Sequence, residues 1–121
     1  MSKKLLVVDD SPSVRQMVEM TLKGAGYEVK TAKDGQEALG VCRAERFDFV
    51  LTDQNMPNMD GLTLIKSLRA MSSFSGVPLI VLTTEASDEM KQKGKAAGAT
   101  GWMVKPFEPK KLLEVVAKVV R

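Results

Sequence analysis

Five short apolar runs, separated by stretches with helical spacing, set the layout of the chain. Lys4-Leu5-Leu6-Val7-Val8 is the first, and it stops at Asp9-Asp10. Tyr27–Ala32 alternates apolar and polar residues, as a strand with one better covered face does. Phe49-Val50-Leu51 reads as a buried strand by its length and bounding residues, and it delivers Asp53 at its end. Val77-Pro78-Leu79-Ile80-Val81-Leu82 is a fourth strand ending at Thr83. Trp102-Met103-Val104 is a short fifth, followed by Lys105-Pro106-Phe107.

Helices fill the intervals. Ser11 as a cap and Pro12 at the first helical position start one of them. Val14, Met17, Val18, Met20, Thr21 and Leu22 supply its apolar face, and Gly24-Ala25-Gly26 ends it. Asp34-Gly35-Gln36-Glu37 opens a second helix running to about Arg46, with Ala38, Leu39, Val41 and Cys42 inward. The loop Asn55–Asp60 leads to a third, with Leu62, Leu64, Ile65 and Leu68 at helical spacing, and Ser72–Gly76 is a loop. Ser87-Asp88-Glu89 caps a fourth, Glu89–Ala97, which is Lys-rich and weakened by Gly94. Glu108-Pro109 opens the last, with Leu112, Leu113, Val115, Val116, Val119 and Val120 as its apolar face. Such alternation predicts one α/β domain over residues 1–121: a doubly wound, five-stranded parallel sheet covered on both faces.

Composition narrows the class. A length of 121 residues suits one domain with a real core, and 44% hydrophobic and 27% charged residues are ordinary for a soluble globular protein. No apolar run approaches the roughly 20 residues of a membrane span, and the N-terminus does not read as a signal peptide. One cysteine, Cys42, excludes an internal disulfide and suits a reducing, cytoplasmic compartment. With no His, a His-based metal site, triad or imidazole base is unavailable. Residues 1–85 hold 10 Lys+Arg against 11 Asp+Glu, whereas residues 86–121 hold 8 against 4. The surplus favours an acidic partner for the last third; no motif supports nucleic acid, and a solvated lysine face is the plainer alternative.

The chemistry collects at one edge. In a parallel sheet all the carboxyl ends of the strands face the same way, so Asp9-Asp10, Asp53, Thr83 and Lys105 share an edge. If the first and third strands are neighbours at the switch point, three carboxylates meet in one crevice with a hydroxyl and an ammonium beside them. Clustered carboxylates repel unless a cation shares the site. All-oxygen ligands select Mg²⁺, Mn²⁺ or Ca²⁺, and few protein ligands in a wet cleft suit Mg²⁺. Each piece also has a dull reading: a helix cap for Asp9-Asp10, turn residues for Asp53 and Thr83, a solvated charge for Lys105.

The motifs Val8-Asp9-Asp10-Ser11, Asp53-Gln54-Asn55-Met56-Pro57-Asn58-Met59-Asp60-Gly61, Leu82-Thr83-Thr84-Glu85 and Lys105-Pro106-Phe107 occur in this order along essentially the whole chain. In that set the sequence resembles the receiver domain of two-component response regulators, most closely the single-domain chemotaxis CheY type. The resemblance implies a flavodoxin-like (CheY-like) strand order of 2-1-3-4-5. It implies that Asp53 accepts a phosphoryl group from a phosphohistidine, forming an acyl phosphate. Asp10, Asp53 and the Asn55 backbone carbonyl would hold Mg²⁺, with Asp9 acting through a water. Lys105, before a cis Lys105–Pro106 bond, would pair with the phosphoryl group, and the Thr83 hydroxyl would swing in to another of its oxygens. Trp102, where the family more often shows Tyr or Phe, would rotate inward to fill the vacated space; a fixed packing role is the alternative. Asn55, Glu85 and Thr84 would tune how fast water reaches the acyl phosphate.

The face reporting the change would comprise the fourth helix, fifth strand and fifth helix. Its partners would be a chemotaxis-type histidine kinase as phosphodonor, a downstream protein such as a flagellar motor switch, and a phosphatase. The chain itself would be a monomer, a phosphoacceptor and not an enzyme, binding neither nucleic acid nor membrane. Two other readings compete: a phosphorelay intermediate passing its phosphoryl group to a histidine phosphotransfer domain, and a Mg²⁺-dependent phosphohydrolase. Against the second, Asn55 stands where a second acid carboxylate would be needed, and 121 residues leave no room for a substrate cap.

Overall fold

The computed structural model describes residues 3–120. Its strands are β1 (Lys4–Val8), β2 (Glu28–Ala32), β3 (Phe49–Thr52), β4 (Leu79–Thr83) and β5 (Gly101–Val104). Its α-helices are α1 (Pro12–Gly24), α2 (Gly35–Ala44), α3 (Gly61–Arg69), α4 (Asp88–Ala97) and α5 (Pro109–Val119). All strand pairs are parallel, in the order β2-β1-β3-β4-β5. β1 therefore lies beside both β2 and β3, and the switch point falls where the motif analysis places it.

Alternate residues of each central strand feed two cores. Leu6, Val8, Val50, Leu79 and Val81 face α2, α3 and α4. Leu5, Val7, Phe49, Leu51, Ile80 and Leu82 face α1 and α5. Burial on both sides explains why these strands read as continuous apolar runs, while edge strand β2 alternates. Among the described residues no helix is long and apolar enough to cross a membrane.

Local chemistry starts the helices where it was expected. Ser11, Asp34, Asp60 and Ser87 each accept a backbone N–H from three residues ahead. Differences are small but physical. Phe74 tucks fully into the core from a 3₁₀ turn (Ser72–Phe74) within the expected loop. On α1, only Val18 and Leu22 are buried; Met17 and Met20 are 55% and 68% exposed. The expected face of α1 was thus too wide, because one layer of sheet covers only a narrow stripe of the helix.

Candidate functional site

Register brings the acidic residues together. Val8 pairs with Thr52, so Asp9 and Asp53 leave adjacent strands at the same height. The Asp53 N–H bonds to the Val8 carbonyl (2.9 Å), and the Asp9 N–H to that of Ala32 (3.2 Å). Ligand atoms of Asp9, Asp10 and Asp53 all lie within 4.8 Å of one another. Asp9 and Asp53 are 2% and 7% exposed, whereas Asp10 faces solvent.

Each buried carboxylate is aimed by one oxygen and paired by the other. Asp9 Oδ1 accepts the Ser11 N–H (2.9 Å), and its Oδ2 meets Lys105 Nζ at 2.9 Å. Asp53 Oδ1 accepts the Gln54 N–H (2.7 Å), and its Oδ2 lies 3.2 Å from the same Nζ. Arg15 donates to the Asp9 carbonyl at 2.7 Å, tying α1 to the site. The Lys105–Pro106 peptide is cis.

Burial pushes the Asp9 carboxyl above its ordinary value; the Lys105 and Ser11 bonds oppose this, and the Asp53 charge adds to it. For Lys105, burial works against the charged form, but the Asp9 bond and the charges of Asp9 and Asp53 prevail and raise it. One ammonium thus serves two carboxylates while a third stands alongside. An all-oxygen cluster carrying this much negative charge fits a hard divalent cation, and the triad is consistent with a Mg²⁺ site.

The remaining site residues ring this centre. Thr83 is fully buried at the end of β4, and its Oγ1 accepts the Glu85 N–H (3.3 Å). Asn55 Nδ2 donates to Glu85 Oε1 at 3.1 Å, joining the loops after β3 and β4. Trp102 is half-buried, and its Nε1–H donates to the Glu85 carbonyl at 2.8 Å. Thr84 is exposed and lines a groove with Val14, Met17, Lys105 and Phe107.

Several supports had no assigned role in the motif reading. The N–H groups of Gly61 and Leu62 bond to the backbone and side-chain oxygens of buried Gln54, seating α3 against the end of β3. A Cβ on Gly61 would lie 2.3 Å from the Asp53 carbonyl oxygen, so only glycine permits this approach. Asp34 caps α2 and also accepts from Asn58 Nδ2 (3.1 Å), pinning the loop beyond Asp53. Asn58 has a φ of 70°, a left-handed conformation that Asn tolerates. The Asp34-Gly35 pair signalled a helix start in the sequence; its reach to Asn58 is nonlocal.

Comparison with known proteins agrees with this geometry. The family model for the response regulator receiver domain matches residues 5–117. The chemotaxis protein CheY-3 of Vibrio cholerae is 38% identical over 117 residues, covering 96% of this chain and 90% of that protein. The crystal structure of V. cholerae CheY4 superposes with a TM-score of 0.95 at 52% identity, covering 98% of this chain and 99% of that one. The receiver domain of the Pseudomonas aeruginosa sensor kinase PA1611, solved with magnesium in its active-site cleft, has a TM-score of 0.91. Its identity is 28%, and 99% of this chain and 98% of that one are covered. With the acidic triad at the sheet edge and the match running from β1 into α5, the chain belongs to the response regulator receiver domain family, as a phosphoacceptor signalling protein and not an enzyme.

Proposed function

We propose that this chain is a chemotaxis-type response regulator whose Asp53 takes a phosphoryl group from the phosphohistidine of a histidine kinase. A carboxylate oxygen of Asp53 forms the new P–O bond as the P–N bond breaks, and that electron pair stays with the departing imidazole. The observation that carries the reading is the setting of Asp53: within 4.8 Å of Asp9 and Asp10, and 3.2 Å from Lys105 Nζ. Asp10, Asp53 and the Asn55 carbonyl would hold Mg²⁺, with Asp9 acting through a water, and the ion would supply charge neutralisation for the transferring oxygens.

Lys105 exchanges a carboxylate partner for a phosphoryl oxygen, keeping its charge satisfied. Thr83 turns its hydroxyl to another oxygen and so gives up the Glu85 N–H. That exchange links the acceptor site to the β4–α4 loop and to the face built from α4, β5 and α5. A groove of about 610 Å³ on this face, lined by Lys91, Trp102, Val104, Phe107 and Lys111 among others, is suited to a downstream protein carrying acidic groups. The likeness to two V. cholerae chemotaxis proteins supports a motility output.

Intact mass tests the assignment. Incubation with Mg²⁺ and a small-molecule phosphodonor adds one phosphoryl group to the native chain and none to Asp53→Asn. A native chain that gains no mass and also fails to bind beryllofluoride contradicts it.

A further inference from the structure

Glu85 is held at three points, each by a different strand or its following loop. Its N–H bonds to Thr83 Oγ1, its Oε1 to Asn55 Nδ2, and its carbonyl oxygen to Trp102 Nε1. The shortest of the three, 2.8 Å, comes from the indole. A half-buried indole brings one donor and no acceptor, and here that donor is satisfied by the Glu85 carbonyl.

The ring is also seated sterically. A Cβ at Gly94 of α4 would lie 2.6 Å from Trp102 Cζ3 and 3.0 Å from Cε3. Glycine weakens a helix interior relative to alanine, and here it opens the notch that admits the indole. Gly94 and Trp102 are a matched pair across α4 and β5. Rotation of the ring out of this seat would break the bond to Glu85 and leave the notch empty.

Building on the acceptor role of Asp53, we infer that Trp102 is a positioning residue for the acyl phosphate's hydrolysis: seated in the Gly94 notch, it fixes the Glu85 backbone so that the Glu85 carboxylate keeps its bond to Asn55 across the loops flanking Asp53. In that hydrolysis the water oxygen bonds to phosphorus as the P–O bond to Asp53 breaks. The Asp53 carboxylate leaves with the electron pair, and both water protons depart with inorganic phosphate. The Glu85–Asn55 bridge narrows the approach of that water, and releasing Glu85 widens it. Trp102 thereby sets the lifetime of the signal without touching the phosphoryl group, and it does so from a seat it already occupies before phosphorylation.

The test uses the full chain, phosphorylated with a small-molecule phosphodonor and then freed of it, with loss of the adduct followed by intact mass. Trp102→Phe keeps an aromatic ring over Gly94 but lacks the N–H, and Gly94→Ala unseats the indole. Both shorten the lifetime by roughly two- to tenfold, the effect of one ordinary hydrogen bond. In an Asn55→Ala background the same two substitutions add nothing further, because the bridge they act through is already gone. Independently of phosphorylation, NMR should show slow exchange of the indole N–H in the native chain and fast exchange in Gly94→Ala. An unchanged or longer lifetime in Trp102→Phe, full additivity with Asn55→Ala, or a native indole N–H exchanging as fast as an exposed one overturns the role. A native chain that takes no phosphoryl group contradicts the acceptor assignment itself, and the positioning role falls with it.

Discussion

Helix α3 buries Leu64, Ile65 and Leu68 completely and rests its N-terminus on the Asp53 backbone, whereas α4, on the other flank of the site, buries only Gly94 and Ala97. The strands follow suit: every residue of β3 is buried, but of β5 only Met103 is. On the α3 side the loop after Asp53 is pinned by Asp34 to Asn58 and by Gln54 to α3. On the α4 side, the loop after Thr83 has its described side-chain ties at Glu85 and at the Ser87 cap. A group that must present a carboxylate to a donor gains from the first construction, since misplacement of about 1 Å is costly. A surface that must change when that carboxylate is modified gains from the second, because elements with few buried apolar contacts open most easily. Under the proposed function, the polar, Lys-rich sequence of α4 would let one flank respond while the other holds still.

The contrast is broken most severely at Gly61. Gly61→Ala forces the Asp53 carbonyl and α3 apart, and the expected loss is about 1–3 kcal/mol or more. Urea unfolding measures it, and Mg²⁺ titration of the variant should show weakened binding because Asp53 itself is displaced. Next come truncations of one core-facing side chain of α3 and one solvent-facing side chain of α4. Leu64→Ala on α3 should cost about 2–5 kcal/mol, while exposed Lys91→Ala on α4 should stay within about 0.5 kcal/mol. Comparable losses at both would remove the distinction between the flanks.

Asp34 sharpens the same comparison through pH. The Glu37 N–H, followed by the Asn58 amide and the Lys33 charge, holds its carboxyl below the ordinary value against the opposing effect of burial. A depressed folded-state value means that the carboxylate stabilises the fold above the unfolded value near pH 3.9, and that this is lost as pH falls through the folded value. Asp34→Ala should therefore cost about 0.5–2 kcal/mol at pH 7, as loss of a helix cap does. Unfolding curves of the two proteins should begin to draw together as pH falls below about 4 and meet only below the folded value. A gap independent of pH would show that the carboxylate's charge plays no part in pinning the loop.

Much of this was legible in the chain, for a physical reason. Asp9, Asp53, Thr83 and Lys105 each terminate an apolar run, and parallel topology sends all such ends to one edge. Local rules also placed the caps at Ser11, Asp34 and Ser87. What stayed hidden depends on contacts distant in sequence. Gly94 reads as a weak point in a helix until Trp102 is seen beside it. The Arg69 guanidinium donates to the carbonyls of Gly98, Phe74 and Val77 and to Thr100 Oγ1, closing the far end of α3 onto the α4–β5 turn. Met17 and Met20 fit the helical period but stand outside the stripe that the sheet covers.

The most direct test of the two-flank account is amide hydrogen exchange with Mg²⁺ present, before and after addition of beryllofluoride, a stable mimic of the acyl phosphate. The account predicts altered exchange across residues 84–105, covering the β4–α4 loop, α4 and β5, with α3 and the loop at 55–60 nearly unchanged. Changes of equal size on both flanks, or changes confined to α3, would contradict it.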